Sequence, residues 1–286
     1  RHHRVFPGEG DFDLVDLLGR LHEVGYAGPV SLEIFNDSFR QADVHRTAVD
    51  GLRSLRWLED QTADAVRGAG GDPDRAPLML TDLPAPQAPR AWDFLELRTR
   101  ELGHVTRMLH QLGFSLSGHH RSKDSVQAWT QGPVRIVVSE DPRATAQPTR
   151  LAALGFQVAD PDVAAYRAER LLAQTVDRAQ LPDETVLHGV VAPDGTEIFF
   201  GPCGEQGVPP WLAEFGADPQ DDAPASLLTG VDHVNLAQPW QHYDEAVLFL
   251  TSLLDLHPAP SQDVAGPSGL VRSQVMRSAG GVVRIP

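Results

Sequence analysis

The chain has 286 residues, 41% of them apolar, which is enough for about two domains with real cores. Twenty-four basic against thirty-nine acidic side chains leave a formal charge of −15, so electrostatics opposes a polyanionic partner and nucleic-acid binding is disfavoured. The single cysteine, Cys203, cannot close an internal disulfide, and no apolar run approaches the roughly 20 residues of a spanning helix, so a soluble cytoplasmic protein with no membrane contact is expected. The opening Arg1-His2-His3-Arg4 is neither a Met start nor a signal peptide with an apolar centre.

In chain order, Leu14, Leu17, Leu18, Leu21 and Val24 fall at helical spacing after the candidate caps Asp11 and Asp13, and Gly25 supplies a stop. Gly28-Pro29 punctuates, and 30–35 then alternates Val30, Leu32 and Ile34 with Ser31, Glu33 and Phe35, the pattern of a strand. Val44, Ala48, Leu52, Leu55 and Leu58 predict a second helix ending near Asp60. Helix, strand, helix with short connections is the grammar of a parallel α/β sheet or barrel. Residues 61–90 carry Gly68, Gly70, Gly71, Pro73, Pro77, Pro84, Pro86 and Pro89 with little apolar periodicity, and read as a linker.

Beyond the linker a strand–helix–strand pattern recurs three times. The first copy has a strand at Asp93-Phe94-Leu95-Glu96-Leu97, a helix with Leu102, Val105, Leu109 and Leu112, and a strand at 134–138. The second has a strand at 155–158, a helix at 163–172, and a hairpin across 190–200 turned by Asp194-Gly195. The third opens with Val231-Asp232-His233-Val234-Asn235-Leu236, followed by a helix bearing Ala246, Val247, Leu250, Leu253 and Leu254. The first and third copies align as Asp-Phe-Leu-Glu-Leu over Asp-His-Val-Asn-Leu, so Phe94 stands where the third copy has His233.

Three sets of residues can carry chemistry. Glu33, between Leu32 and Ile34, needs a partner or a cation if its strand is buried, and sits in water if the strand is at the surface. His233 can ligate a metal, fill a core pocket or cap a strand. His119-His120-Arg121 lies between Gly118 and Ser122-Lys123-Asp124, and the expectation there is an exposed loop rather than a metal site. His22, His104 and His110 sit on helices without partner spacing, Cys203 has no His or Asp beside it in sequence to activate a nucleophile, and Glu197 is a weak ligand candidate in a hairpin.

Arg4-Val5-Phe6-Pro7-Gly8-Glu9-Gly10-Asp11, followed by Gly25-Tyr26-Ala27-Gly28-Pro29-Val30-Ser31-Leu32-Glu33-Ile34-Phe35-Asn36-Asp37, resembles the last quarter of a xylose-isomerase-like TIM barrel. Together with Phe39-Arg40 it is most similar to the bacterial 3-dehydroshikimate dehydratases, which form protocatechuate. The resemblance implies that Glu33 is one of four protein ligands to a divalent metal (Mg, Mn or Co) and that Arg4 grips a substrate carboxylate. His2 and His3 are either supporting residues or solvated.

The rest resembles the vicinal-oxygen-chelate superfamily and its 4-hydroxyphenylpyruvate dioxygenase-like members, through the repeated units, Gly230-Val231-Asp232-His233-Val234, Leu270-Val271-Arg272-Ser273-Gln274-Val275-Met276 and Val283-Arg284-Ile285-Pro286. That likeness implies βαβββ modules and makes His233 one ligand of a two-His, one-carboxylate site holding iron or another divalent metal. Phe94 and Phe199, where ligands would stand in the first half, cannot donate a lone pair, so 91–205 reads as a metal-free half.

The implied order is therefore a barrel tail at 1–60, a linker at 61–90, the metal-free half at 91–205, a connector at 206–230 and the start of a metal-binding half at 231–286. The expected function is that of a metal-dependent lyase acting on a small molecule, with the chain a fragment inactive alone. A non-haem iron dioxygenase and a structural role for the dioxygenase-like half stand as rivals, and a homo-oligomer is compatible with either.

Overall fold

The computed structural model describes residues 3–75, 77–80, 82–141, 149–176, 178, 180–217, 226–267 and 269–286. The first helix, α1 (Leu14–Glu23), starts where Asp13 accepts the Asp16 N–H at 2.9 Å, and is followed by Gly25 at φ +69°, a left-handed stop suited to glycine. The second helix, α2 (Val44–Gly68), is capped by Asp43 through the Arg46 N–H at 2.9 Å. It runs eight residues past the expected end at Asp60. No breaker occurs in 61–67, Thr62 and Ala63 are buried, and only Gly68-Ala69-Gly70-Gly71 stops it.

Between these helices the expected strand at 30–35 does not form. The segment is extended, with Val30, Leu32 and Phe35 exposed, and among the described residues its ladder-like contacts are limited to the isolated bridge of His3 to Asn36 and the Arg4 N–H to the Phe35 carbonyl at 3.3 Å. Alternation supplies a face, but a strand also needs a neighbour to satisfy its backbone, and no strand lies alongside it among the described residues. The linker is likewise pinned rather than loose. Leu83 is buried and donates its N–H to Asp60 at 3.1 Å, while the Pro84 carbonyl accepts from Arg167 at 2.6 Å.

The centre of the molecule is one mixed sheet. Its first unit is β1 (Ala91–Thr99), α3 (Leu102–Gln111), β2 (Ser115–His120), β3 (Val126–Gln131) and β4 (Val134–Glu140). Its second is β5 (Thr149–Val158), α4 (Pro161–Arg170), β6 (Gln174–Thr175), β7 (His188–Val191) and β8 (Glu197–Pro202). A short strand, β9 (Phe215–Ala217), adds to the edge, giving the order β6-β7-β8-β5-β1-β4-β3-β2-β9. The two units meet where β1 pairs antiparallel with β5, and within each unit the first strand is parallel to the last, β1 to β4 and β5 to β8. The Asp194-Gly195 turn forms as expected, with Gly195 at φ +88°.

Each strand alternates between two environments. On one face, Leu97, Trp129, Val134 and Val138 pack against Val105 and Leu109 of α3, and Leu154, Phe156, Val158, Ile198 and Phe200 pack against Ala164 and Ala168 of α4. On the other, Phe94, Ala128, Val137, Ala153 and Phe199 pack with Trp211 and Phe215. Phe94 and Phe199, whose apolar character argued against ligation, lie 6.0 Å apart between ring centroids, and a Cβ on Gly155 would meet the Phe94 ring at 2.3 Å.

The remainder is α5 (Tyr243–Leu254), β10 (His257–Pro258), β11 (Gln262–Gly266), β12 (Gly269–Ser273), β13 (Met276–Arg277) and β14 (Arg284–Ile285). Phe249, Leu250, Leu253 and Leu254 of α5 join the core of the second unit. The segment expected as a strand at 231–236 runs beside the chain end, with Val234 N–H to the Arg284 carbonyl and Leu236 N–H to the Pro286 carbonyl, each 3.2 Å. Two ladder bonds hold it extended without completing a strand. Among the described residues no helix is long and apolar enough to cross a membrane.

Candidate functional site

On the face of the sheet opposite α3 and α4 lies a pocket of about 480 Å³. Phe94, Glu96 and Arg98 reach it as every second residue of β1, and Val137 and Ser139 as every second residue of β4. Glu96 is buried in its wall, accepts from Ser139 Oγ at 2.7 Å and Arg98 Nε at 3.0 Å, and is gripped by Arg178. Burial alone would raise its carboxyl, but the two guanidiniums and the Ser139 hydroxyl outweigh this and hold it below the usual carboxylate range. Arg98 also forks onto both oxygens of Glu197, at 2.8 and 2.6 Å, so Glu197 serves as an anchor for Arg98.

The opposite wall carries His120, Glu184 and Glu214, all buried, whose ligand atoms lie within 4.8 Å of one another. Backbone pairing creates this proximity. Phe215 of β9 pairs with His120 of β2, which sets Glu214 at the end of the preceding 3-10 turn beside the imidazole. Glu184 arrives from the loop before β7 and is caught by the β2–β3 turn, through Ser122 Oγ at 2.5 Å and Lys123 Nζ at 2.9 Å. His120 Nε2 lies 3.3 Å from Glu214 Oε2 and 3.7 Å from Glu184 Oε1.

The charge states follow from these contacts. Burial first, then Lys123, pushes the His120 imidazole below its usual value against the pull of the two carboxylates, which favours the neutral ring. Burial pushes Glu184 up, but Ser122, Lys123 and the Leu181 N–H more than reverse this and hold it at about 2. One His and two carboxylates, all buried and facing a pocket, make a donor set that suits a divalent cation.

The expected loop at His119-His120-Arg121 is therefore corrected. It is the end of an inner strand whose His120 is buried, because Gly118, set against the Gly216 carbonyl, lets β9 close over it. The signal available in the sequence was the alternation Ser115, Ser117, His119 against Leu116, Gly118, His120, masked by the polar residues that follow.

The residues singled out from the sequence lie elsewhere. Glu33 is exposed on the extended segment between α1 and α2, and the structure brings no second ligand to it among the described residues. Arg4 lies on the neighbouring segment, its guanidinium 5.6 Å from the Phe35 ring centroid and its carbonyl accepting from Asn36 Nδ2 at 2.8 Å. His233 is exposed, its Nδ1 2.7 Å from Asp232, which is also held by Arg284. His2 lies outside the described residues. Cys203 is exposed and donates to the Val158 carbonyl at 3.3 Å. His22 is buried in the first helix pair, 3.1 Å from the Pro73 carbonyl.

No family model matches the chain. It is, however, 35% identical over its full length to a 3-dehydroshikimate dehydratase of Pseudomonas putida and 35% identical over its full length to one of Pseudomonas aeruginosa. Its relatives are 3-dehydroshikimate dehydratases. The chain spans 46% of each of these curated relatives, somewhat less than half. Among solved structures, it superposes over 100% of its length on 45% of a xylose isomerase-like TIM barrel/4-hydroxyphenylpyruvate dioxygenase fusion protein, with TM-score 0.82 and 34% identity. A 4-hydroxymandelate synthase mutant from Streptomyces coelicolor shares the fold alone, covering 69% of this chain and 62% of that one, at TM-score 0.56 and 16% identity. The solved fusion protein thus shares this chain's arrangement along its whole length.

Proposed function

We propose that the chain works within a metal-dependent 3-dehydroshikimate dehydratase that forms protocatechuate, and that residues 1–60 are the end of its TIM barrel. The observation that carries this reading is 35% identity to curated dehydratases along the whole chain, barrel-like and dioxygenase-like parts together. A small-molecule substrate follows from the reaction, and residues 91–205 and 231–286 are read as the two parts of a vicinal-oxygen-chelate domain joined by 206–230. The apolar surface left open by Leu32, Val44, Leu52 and Leu55 beside Phe39 supports the barrel reading, because a barrel strand and its helices are covered on these sides.

In this reading Glu33 is one ligand of a divalent ion, Mg, Mn or Co. An ion held there would supply Lewis-acid polarisation of the substrate ketone, which would acidify the neighbouring C–H. Arg4 sits beside the extended 30–35 segment with a planar two-pronged donor, and orients the substrate by its carboxylate. In the same way we read His233 as one ligand of a dioxygenase-like centre, with the 231–236 segment held extended by its two bonds to the chain end.

The test uses the longer protein that contains this chain, following protocatechuate by its ultraviolet absorbance. Glu33→Ala is expected to cut kcat/KM by at least roughly 100-fold and to lower bound metal, and Arg4→Ala to act mainly on KM. Full activity and full metal content in the Glu33→Ala protein would remove Glu33 from the site. Oxygen uptake with 4-hydroxyphenylpyruvate is expected to be absent, and vigorous uptake would favour the dioxygenase reading instead.

A further inference from the structure

We infer that His120, Glu184 and Glu214 form a binding site for a first-row divalent transition-metal ion, separate from any metal held by Glu33 or His233. The first argument is charge. Glu184 and Glu214 are both buried, and among the described residues Lys123 is the cation paired with Glu184, at 2.9 Å. Two buried carboxyl groups against one ammonium give this wall more acidic donors than cations, a balance that a bound cation would even out.

The second argument is orientation. Each carboxylate has one oxygen tied back to the protein and the other aimed at a shared point. Glu184 Oε2 accepts from Lys123 at 2.9 Å and from the Leu181 N–H at 3.1 Å, leaving Oε1 towards His120 and bonded only to the Ser122 hydroxyl. Glu214 Oε1 accepts from the Thr185 N–H at 2.5 Å, leaving Oε2 towards His120. Supporting bonds of this kind are what fix ligands around a metal.

The third argument is spacing. Ligands about 2.1 Å from a tetrahedral ion stand roughly 3.4 Å from one another. The His120 Nε2 distances to Glu214 and Glu184, 3.3 and 3.7 Å, bracket that value. The Ser122 N–H donates to His120 Nδ1 at 3.2 Å, which places the ring proton on Nε2 towards Glu214, so a cation at Nε2 takes the place of that proton, and the proton then carried on Nδ1 has Ser122 Oγ, 3.3 Å away, as its acceptor. All three residues line the 480 Å³ pocket, so the remaining coordination positions open into it. Imidazole with two carboxylates suits Zn²⁺, Co²⁺, Mn²⁺ or Fe²⁺, and three protein ligands with an open position suit an exchangeable oxygen ligand from the pocket.

Co²⁺ added to the chelator-stripped full chain, followed by its visible absorption, tests this directly. One equivalent per chain is expected to bind with nitrogen-and-oxygen coordination, weakened at least tenfold in His120→Asn and in Glu214→Gln. Lys123→Met, which removes a competing positive charge, is expected to bind Co²⁺ about tenfold more tightly. His233→Asn and Glu33→Ala are expected to leave this equivalent unchanged, which separates the site from the proposed dehydratase metal. Unaltered binding in both His120→Asn and Glu214→Gln, or loss of binding in His233→Asn, would overturn the inference. Should either substituted protein fail to fold, histidine ¹⁵N spectra of the unsubstituted chain with Zn²⁺ decide the matter: the His120 Nε2 resonance must shift, and its failure to do so is equally fatal.

Discussion

Glu9 shows how a single side chain can set a pH dependence. It sits in the Pro7-Gly8-Glu9-Gly10 turn with Oε2 accepting the Phe6 N–H at 2.7 Å, facing Asp50 of α2. Burial first, then the Asp50 charge, pushes its carboxyl far above the usual range, and burial raises Asp50 as well, to about 6, although Arg53 pulls it down at 3.1 Å. The sign follows from linkage. A carboxyl whose folded value is raised releases its proton more readily when unfolded, so folding stability is lost as pH climbs above the unfolded value near 4.5. Glu9→Gln keeps the acceptor for Phe6 and removes the titration. Thermal melts should show no gain for this variant at pH 4 and a stabilisation of about 1–2 kcal/mol at pH 8. A variant no more stable at pH 8 would mean that Glu9 ionises freely in the fold.

Gly155 carries a second residue-scale prediction. It lies on β5 against the Phe94 ring, and an added Cβ would approach to 2.3 Å. Gly155→Ala should destabilise by about 1–3 kcal/mol in urea denaturation, and Phe94→Leu in the same chain should recover part of the loss.

Between elements, the joint that matters most is Arg167 of α4. It is buried and reaches Asp60 of α2 at 3.1 Å, the Ser252 carbonyl of α5 at 2.8 Å and the Pro84 carbonyl at 2.6 Å. One guanidinium thus ties the first helical pair, the linker and the last helix to the second unit of the sheet. Arg53 adds a parallel tie from α2 to the Leu171 carbonyl at 3.0 Å. Arg167→Met leaves Asp60 buried without its cation, and a loss of about 3–5 kcal/mol in chemical denaturation is expected. Asp60→Asn with Arg167→Met should cost less than the Arg167→Met change alone, because the double substitution leaves no stranded charge.

At the scale of the whole molecule, one surface is finished and another is not. The sheet has helices on one face and Trp211, Phe215 and the pocket on the other. The α1–α2 unit leaves Phe12, Leu17, Val30, Leu32, Phe35, Val44 and Leu52 exposed, and Leu32, Val44 and Leu52 line one shared concavity with Phe39 and Leu55. Leu32→Ser and Leu52→Ser in this chain should each change stability by no more than about 0.5 kcal/mol, since neither is buried here, while lowering binding of a hydrophobic dye. A loss well beyond that would show that these side chains are packed in solution.

The amphipathic helices, the Gly-led stops and the Asp194-Gly195 hairpin follow from local periods and backbone freedom, which any stretch of sequence displays by itself. So does the apolar character of Phe94 and Phe199. The strand at 30–35 shows the limit of that reasoning: its alternation is real, but strand formation depends on a neighbour that periodicity does not specify. The likeness to the 3-dehydroshikimate dehydratases was likewise legible in the run from Arg4 to Asp37, because turn and strand motifs are contiguous.

The His120, Glu184 and Glu214 group was not legible, and its residues are separated by 64 and then 30 positions. His120 looked like part of a polar loop, Glu184 and Glu214 carried no motif, and nothing local joins them. They meet because β9 pairs with β2 and the loop before β7 folds over the same edge, so long-range backbone hydrogen bonding decides what short-range pattern cannot express.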